Sequence, residues 1–278
     1  MSFTRTMGER YECRLSREDL KKAQAELNEP ISDQERIAAI DVLRESFQTK
    51  HPEVTLANDS DVFMLRFLRS KKFNQEKALT KLYKYQNNYS TWGEVFDKVR
   101  NPVLLKPLIE AGVVVPLKGR AKDGSVVVVG RPGIVQHTWI DMMAMIILTA
   151  ETLLQDEHTQ IYGMTVVIDQ AYFTMELAKQ YTPAISRRFG GFMQDSLPAR
   201  VKSMNLTNQG KIWDIVWAIA QPFLKDKMKK RFRIHGTEFS TLYDVIDRSI
   251  LPPMFAGNGP PLDPEEWKSH VISEDTAL

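Results

Sequence analysis

Residues 195–236 read DSLPARVKSMNLTNQGKIWDIVWAIAQPFLKDKMKKRFRIHG, and three kinds of chemistry follow one another in that stretch. Arg200 and Lys202 are basic while Val201, Met204 and Leu206 are apolar, which predicts a strand over 201–206 entering a core from a basic rim. The next segment, 210–223, carries Ile212, Trp213, Ile215, Val216, Trp217, Ile219, Ala220 and Phe223, interrupted by Lys211, Asp214 and Gln221. A helix of that composition has no ordinary solvated face. It is either buried all round or meets something apolar that comes and goes, such as a membrane or a bound lipid. Then Lys225, Lys227, Lys229, Lys230, Arg231 and Arg233 fall within 225–233 with Asp226 as the only acid, which reads as a cationic helix joined to the apolar one. Cations near an anionic leaflet contribute roughly 1 kcal/mol each. Taken singly, the apolar run fits a core helix and the lysines fit a solvated face; their adjacency favours a lid that responds to a membrane.

Upstream of this stretch the pattern alternates. Runs of β-branched residues at 113–117 and 126–129 flank an Asp123-Gly124 turn signal and predict a hairpin. A long helix is expected from Thr138 or Asp141 to about Asp156, and the apolar run 164–168 between Gly163 and Asp169 suits a strand buried on both faces. Helices are expected near 174–181 and 183–193, and a shorter one over 241–246 before a Pro and Gly rich loop at 251–262. Strands interleaved with helices define an α/β sheet backed by helices.

Residues 15–98 read differently. Ser16 with Asp19, and Ser32 with Glu35, have capping-box spacing ahead of amphipathic runs near 17–28 and 33–49. Asp59 or Ser60 caps a third helix through Phe63, Met64, Phe67 and Leu68, and Asn74 opens a fourth with Ala78, Leu79, Leu82 and Tyr85 at helical spacing. The expected organisation is a helical module over 1–98, an α/β domain over 99–262 and a tail over 263–278.

With 37 Lys and Arg against 35 Asp and Glu, the net charge of +2 gives no reason to expect nucleic-acid binding. Cys13 stands alone and 1–10 lacks the apolar core of a signal peptide, so a cytosolic protein is expected. The run 142–148 is far short of the ~20 residues that span a bilayer, so any membrane contact is expected to be peripheral. Neither a GxSxG elbow, an HExxH, a phosphate-binding GxxxxGK nor a CxxC occurs, and the five histidines are scattered without ligand spacing. The expectation is a binding protein with no catalytic residue, no metal and no cofactor other than a lipophilic ligand.

Several of these segments resemble the CRAL-TRIO lipid-binding family, especially the group containing the tocopherol and retinaldehyde carriers and the clavesins. The resemblance rests on the 194–200 run QDSLPAR, Pro222-Phe223-Leu224 and the basic run ending in His235-Gly236. It extends to AELNEP at 25–30, LRFLR at 65–69 with Lys72-Phe73, and Ile250-Leu251-Pro252, in family order over most of the chain. It implies a helical module followed by a CRAL-TRIO α/β domain with a mixed, mostly parallel sheet, an apolar cavity and a mobile lid helix.

The cavity is expected to draw Met143, Ile146 and Ala150 from the long helix, and Met164 and Ile168 from the central strand. Phe173, Phe189, Phe192, Met193, Leu197 and Val201 follow, with Ile212, Val216 and Ile219 closing over them. The pattern alone equally describes a dry core; in the carriers the positions of Met143, Ile146, Ala150, Met193 and Ile219 line the ligand. Methionine among aromatics suits a pocket for a flexible hydrophobe. A second implied site is a basic cleft for phosphatidylinositol bisphosphates at Lys71, Arg200, Lys202, Lys227 and Arg231, all basic here, where a solvated face is the plainer alternative. Asp275-Thr276-Ala277-Leu278 resembles a C-terminal PDZ ligand. The function so implied is a carrier of tocopherol, retinoid or a similar lipid that delivers it to phosphoinositide-containing membranes. Phospholipid exchange and a non-transferring trafficking adaptor are the alternatives.

Overall fold

The computed structural model describes residues 10–272, and the PDZ-like terminus at 275–278 lies outside the described residues. The N-terminal part is helical, with α1 (Arg17–Leu27), α2 (Asp33–Lys50), α3 (Asp61–Ser70), α4 (Gln75–Thr91), α5 (Gly93–Arg100) and the short α6 (Lys106–Glu110). Both capping boxes form. Ser16 Oγ accepts the Asp19 N–H at 3.1 Å while the Asp19 carboxylate accepts the Ser16 N–H at 3.3 Å. Ser32 and Glu35 repeat the exchange at 3.2 Å in each direction, so each pair satisfies two N–H groups that a helix start leaves unpaired.

The two N-terminal motifs meet inside the protein. Arg69 of LRFLR is fully enclosed, and Glu29 of AELNEP accepts its Nε at 2.8 Å and its Nη2 at 2.7 Å. Gln160 accepts Nη1 at 2.9 Å. The forked pair is the strong form of carboxylate recognition, and through Gln160 it ties the helical module to the α/β part.

That part runs β1 (Val114–Arg120), β2 (Val126–Gly130), α7 (Trp139–Leu153), α8 (Glu157–Tyr162), β3 (Met164–Asp169), α9 (Met175–Gln180) and α10 (Pro183–Gly191), then a π-helical turn at Phe192–Ser196. It continues with β4 (Val201–Thr207), α11 (Lys211–Ala220) ending in a 3-10 turn, α12 (Asp226–Lys229), β5 (Phe232–Gly236) and, near the end, α13 (Pro264–Val271). The strand order is β1-β2-β3-β4-β5, antiparallel for the hairpin β1–β2 and parallel beyond it. Strands that follow chain order with right-handed crossovers send every connecting helix to the same face. The opposite face is covered by 239–262 instead, where Leu242, Ile246, Leu251 and Phe255 are buried against Val127, Val129 and Val167.

Four expectations are corrected. The basic run is not one helix: α12 is a single turn and the chain re-enters the sheet as β5, because Phe232 is apolar toward the interior and the Met204 N–H bonds the Arg231 carbonyl at 2.9 Å. The helix expected over 241–246 is a 3-10 turn at Phe239–Leu242 followed by turns. The expected tail contains α13, whose Trp267 and Val271 are buried. Finally, the helix expected over 210–223 ends at Ala220 and gives way to a 3-10 turn at Gln221–Phe223; of its two readings, burial all round is excluded, since Val216 and Ala220 are buried while Ile215 is 47% exposed. The closing loop packs closely through Met254-Phe255-Ala256-Gly257. Phe255 is fully buried, which contributes roughly 1.5–3 kcal/mol, and a Cβ at Gly257 would run into the Leu251 carbonyl.

Candidate functional site

One register row crosses the sheet as Val128, Val166, Met204 and Phe232. All four side chains line an apolar cavity of about 210 Å³ on the helical face of the sheet. Alternate strand residues share a face, so Gly130, Met164 and Ile168 extend the same floor, and a register shift in β4 pairs Val201 with Met164 and brings it to that floor as well. One wall is α7, through Met142, Ile146, Thr149 and Ala150 at helical spacing. The segment from α10 into β4 gives Phe189, Met193, Leu197 and Ala199, and α11 covers the top with Trp213, Val216, Trp217 and Ala220. Those four fall at i, i+3, i+4 and i+7, one stripe of a helix.

The structure therefore brings together Ile146, Ala150, Met164, Ile168, Phe173, Phe189, Met193, Leu197, Val201 and Val216. It places four expected residues elsewhere. Met143 is one position round from Met142 and is enclosed in the core shared with the N-terminal helices. Phe192 turns into an aromatic cluster, its ring centroid 6.2 Å from Tyr85, 6.0 Å from Trp92 and 5.8 Å from Phe96. Ile212 and Ile219 flank the α11 stripe and pack against the cluster of Phe173, Leu177 and Tyr181. Residues the sequence reading missed include Gln170, Tyr181, Trp217 and Phe232. The i+4 spacing of Trp213 and Trp217 was the available signal for one of them; Phe232 was concealed by the charges around it.

Gln194 also lines the cavity and holds the segment that follows α11. Its Nε2 donates to the Gly190 carbonyl at 2.8 Å and the Phe223 carbonyl at 3.1 Å, and its Oε1 accepts the Lys225 backbone N–H at 2.7 Å. Next to it, Asp195 takes the Lys225 ammonium in an ion pair.

The five expected basic residues fall into two groups bridged by the segment from α12 to Arg231. Arg200, Lys202 and Arg231 form one. Arg200 sits at the mouth of β4 because Gly163 has φ +82°, a conformation costly with a Cβ, and lets the Met164 N–H reach the Arg200 carbonyl at 2.8 Å. Glu26 of α1 occupies this group: it accepts Arg200 Nη2 at 3.1 Å and pairs with Lys22 at 2.9 Å and Lys202 at 4.0 Å. Burial works to raise the Glu26 carboxyl, but bonds from Lys22 and Arg200 and the charge of Lys202 outweigh it and bring it to about 2. Burial and then the charge of Arg200 lower both Lys202 and Arg231.

Lys71 and Lys227 belong to the second group, with Lys81, Lys84, Lys225 and the acid Asp195. Lys71 caps α3 just before Lys72 and Phe73, two consecutive non-glycine residues at φ 54° and 55°. Lys81, which the sequence reading missed, is only 5% exposed. Burial, then repulsion from Lys71, pulls its ammonium down to about 7, with Asp195 opposing. No helix among the described residues is long and apolar enough to cross a membrane.

A helical module, a mixed sheet with its connecting helices on one face, and an apolar cavity lined by no charged side chain among the described residues define a class of proteins that hold hydrophobic molecules. Comparison with protein families matches the CRAL/TRIO domain at 110–257 and the CRAL/TRIO N-terminal domain at 39–84. The chain is 31% identical over 272 residues to a human alpha-tocopherol transfer protein-like protein, covering 95% of this chain and 77% of the relative. It is 30% identical over 267 residues to Clavesin-1 of Xenopus laevis, covering 94% and 79%. Among solved structures it is similar to Sfh5, at 12% identity and a TM-score of 0.45 over 94% of each chain. The chain belongs to the CRAL-TRIO family of lipid-binding proteins.

Proposed function

We propose that this protein is a non-catalytic carrier that holds one hydrophobic molecule, a tocopherol, retinoid or similar lipid, in the cavity under α11 and releases it at phosphoinositide-containing membranes. The observation that carries the reading is continuity. The helix that covers the apolar cavity ends at Ala220 and its 3-10 turn leads to Lys225, which Gln194 and Asp195 fasten beside a cluster of partly unneutralised lysines. A phosphoinositide seated among those cations competes for the groups that hold the lid end, and a ligand shifts such an equilibrium only by its differential affinity for the two states. The alpha-tocopherol name of the human relative supports the cargo class. At about 210 Å³ the cavity is below the ~300–1,000 Å³ usual for ligand sites, so loading moves α11 outward. A cytoplasmic location with reversible membrane contact follows from this cycle.

The test is solvent extraction of the natively purified protein, read by absorbance and mass spectrometry. One neutral lipid per chain, released on mixing with vesicles containing phosphatidylinositol bisphosphate and retained with phosphatidylcholine alone, is the expected result. An empty protein that still binds those vesicles would replace the carrier with an adaptor.

A further inference from the structure

A carrier's cavity wall limits the chemistry of the polar end of its cargo. Among the described residues, no charged side chain lines the cavity. Most of its polar lining is already occupied. Tyr181 bonds Ser186 at 3.3 Å, the Trp139 indole N–H donates to the Leu177 carbonyl at 2.7 Å, and Gln194 holds three backbone groups. Two buried atoms in the lining have no partner among the described residues: Thr149 Oγ1 and Gln170 Oε1.

The two are not equivalent. A threonine within a helix can turn its hydroxyl onto the carbonyl one turn back, as Thr152 does with Leu148 at 2.9 Å. Gln170 has no such escape. It follows β3, its backbone N–H is already donated to the Thr207 carbonyl at 2.9 Å, and its own carbonyl accepts the Phe173 N–H at 3.0 Å. Its side chain is buried, the residue lines the cavity, and its amide oxygen has no partner among the described residues, a costly arrangement unless a donor reaches it from the cavity side.

The two atoms also mark opposite ends. Gln170 adjoins Phe173, whose ring lies 6.3 Å from Trp139 at the start of α7. Thr149 lies ten residues further along that helix, about 15 Å at 1.5 Å per residue. Between them the lining is apolar, so a long molecule with its polar group at the Gln170 end matches the wall.

Building on the carrier reading, we propose that Gln170 anchors the cargo, and that the cargo is a long neutral lipid ending in a hydroxyl. A hydroxyl both donates to Oε1 and accepts from Nε2. A carboxylate or phosphate would be buried without a counter-ion. An ether or hydrocarbon leaves the amide oxygen unpaired, and a site built to hydrogen-bond a hydroxyl discriminates strongly against analogues that lack one.

Dodecan-1-ol, methyl dodecyl ether and dodecanoate share one flexible chain and differ at the head. Their binding is read through tryptophan emission, since Trp139, Trp213 and Trp217 line the cavity. The alcohol is expected to bind about tenfold more tightly than either analogue. Gln170→Leu brings the alcohol to the affinity of the ether, Gln170→Asn retains part of the preference, and Thr149→Val does not abolish it. Equal binding of alcohol and ether, a preference that survives Gln170→Leu, or one abolished by Thr149→Val overturns the anchor. If none of the three probes changes the emission, the carrier reading itself fails.

Discussion

The side-chain oxygen of Gln194 accepts the backbone N–H of Lys225 at 2.7 Å, so one residue of the cavity wall fixes the first residue of the basic segment. Its amide nitrogen holds the Phe223 carbonyl at 3.1 Å. Gln194→Leu removes both bonds at similar volume. A net loss of about 1–3 kcal/mol is expected in urea unfolding, together with several-fold faster release of bound lipid in stopped-flow mixing with acceptor vesicles. Unchanged release with the stability loss present would separate the joint from the lid.

The forked Glu29–Arg69 pair is enclosed from water on both sides. Glu29→Gln leaves the guanidinium buried with half of its partner charge gone, and a cost of about 3–5 kcal/mol is expected. Urea denaturation checks it; a loss below ~1 kcal/mol would mean that water reaches the pair. Arg69→Met leaves the enclosed Glu29 carboxylate with Arg36 at 3.1 Å as its remaining cation, and a similar cost is expected.

Lys81 gives stability a pH dependence with a defined sign. Its folded value of about 7 lies below the unfolded ~10.4, so the unfolded chain binds more protons between those values and stability rises with pH across that window. The penalty is fully present below pH 7, on the order of 5 kcal/mol at most at ~1.4 kcal/mol per pH unit. The groups facing it are Lys71 and Lys225, which lower it, and Asp195, which raises it. Lys81→Met is expected to be more stable than the natural protein at pH 6 and nearly equal to it at pH 10. Parallel urea midpoints from pH 6 to 10 test this.

How far the sequence revealed this site depends on the element. The capping boxes and the α/β alternation were legible because 3.6- and 2-residue periods map directly to faces, whereas the placing of Ile146 and Ala150 on a cavity wall rather than in a dry core came from the family resemblance. Lys81 was legible in principle: it sits three residues after Ala78 and four before Tyr85, inside the buried stripe of α4. Charge overruled that geometry in the reading. In β5 the same bias hid a strand, since Phe232 is the one inward apolar residue among Arg231, Arg233 and the preceding lysines. The phase of α11 could not be chosen, because Ile212 and Ile219 are as apolar as Trp213 and Val216. No local pattern reports that Glu26, some 174 residues away in sequence, occupies Arg200.

That last contact gives a prediction about membranes. Glu26 supplies carboxylate oxygens where phosphate oxygens would sit, so it competes with an anionic headgroup for Arg200 and Lys202. Glu26→Gln is expected to bind vesicles with ~5% phosphatidylinositol bisphosphate about three- to tenfold more tightly, while Arg231→Glu weakens binding by a similar factor, each ~1 kcal/mol or slightly more. Neither should alter lipid uptake. The carboxyl value of about 2 also means that the Glu26 contribution to stability is present above pH 4.5 and lost as pH falls toward 2, and Glu26→Gln removes that acid limb. Cosedimentation unaffected by both substitutions would rule out this group as the headgroup site.

The cavity itself is tested by filling it. Ala150 lies on the α7 wall with its side chain in the lining, opposite the strand floor. Ala150→Phe places a ring into a space of about 210 Å³ and leaves too little room for a lipid chain. Overpacking of this kind costs about 1–3 kcal/mol, which a fold with a continuous core through the helical module and the sheet can absorb. The variant is expected to fold, to purify without bound lipid, and to bind phosphoinositide vesicles as the natural protein does, because none of the basic residues is on α7. Mass spectrometry of the extracted protein and cosedimentation, performed on the same preparation, give both readings. Full lipid stoichiometry in Ala150→Phe would move the cargo out of this cavity, whereas loss of lipid and membrane binding together would show that the basic cleft forms only over a loaded interior.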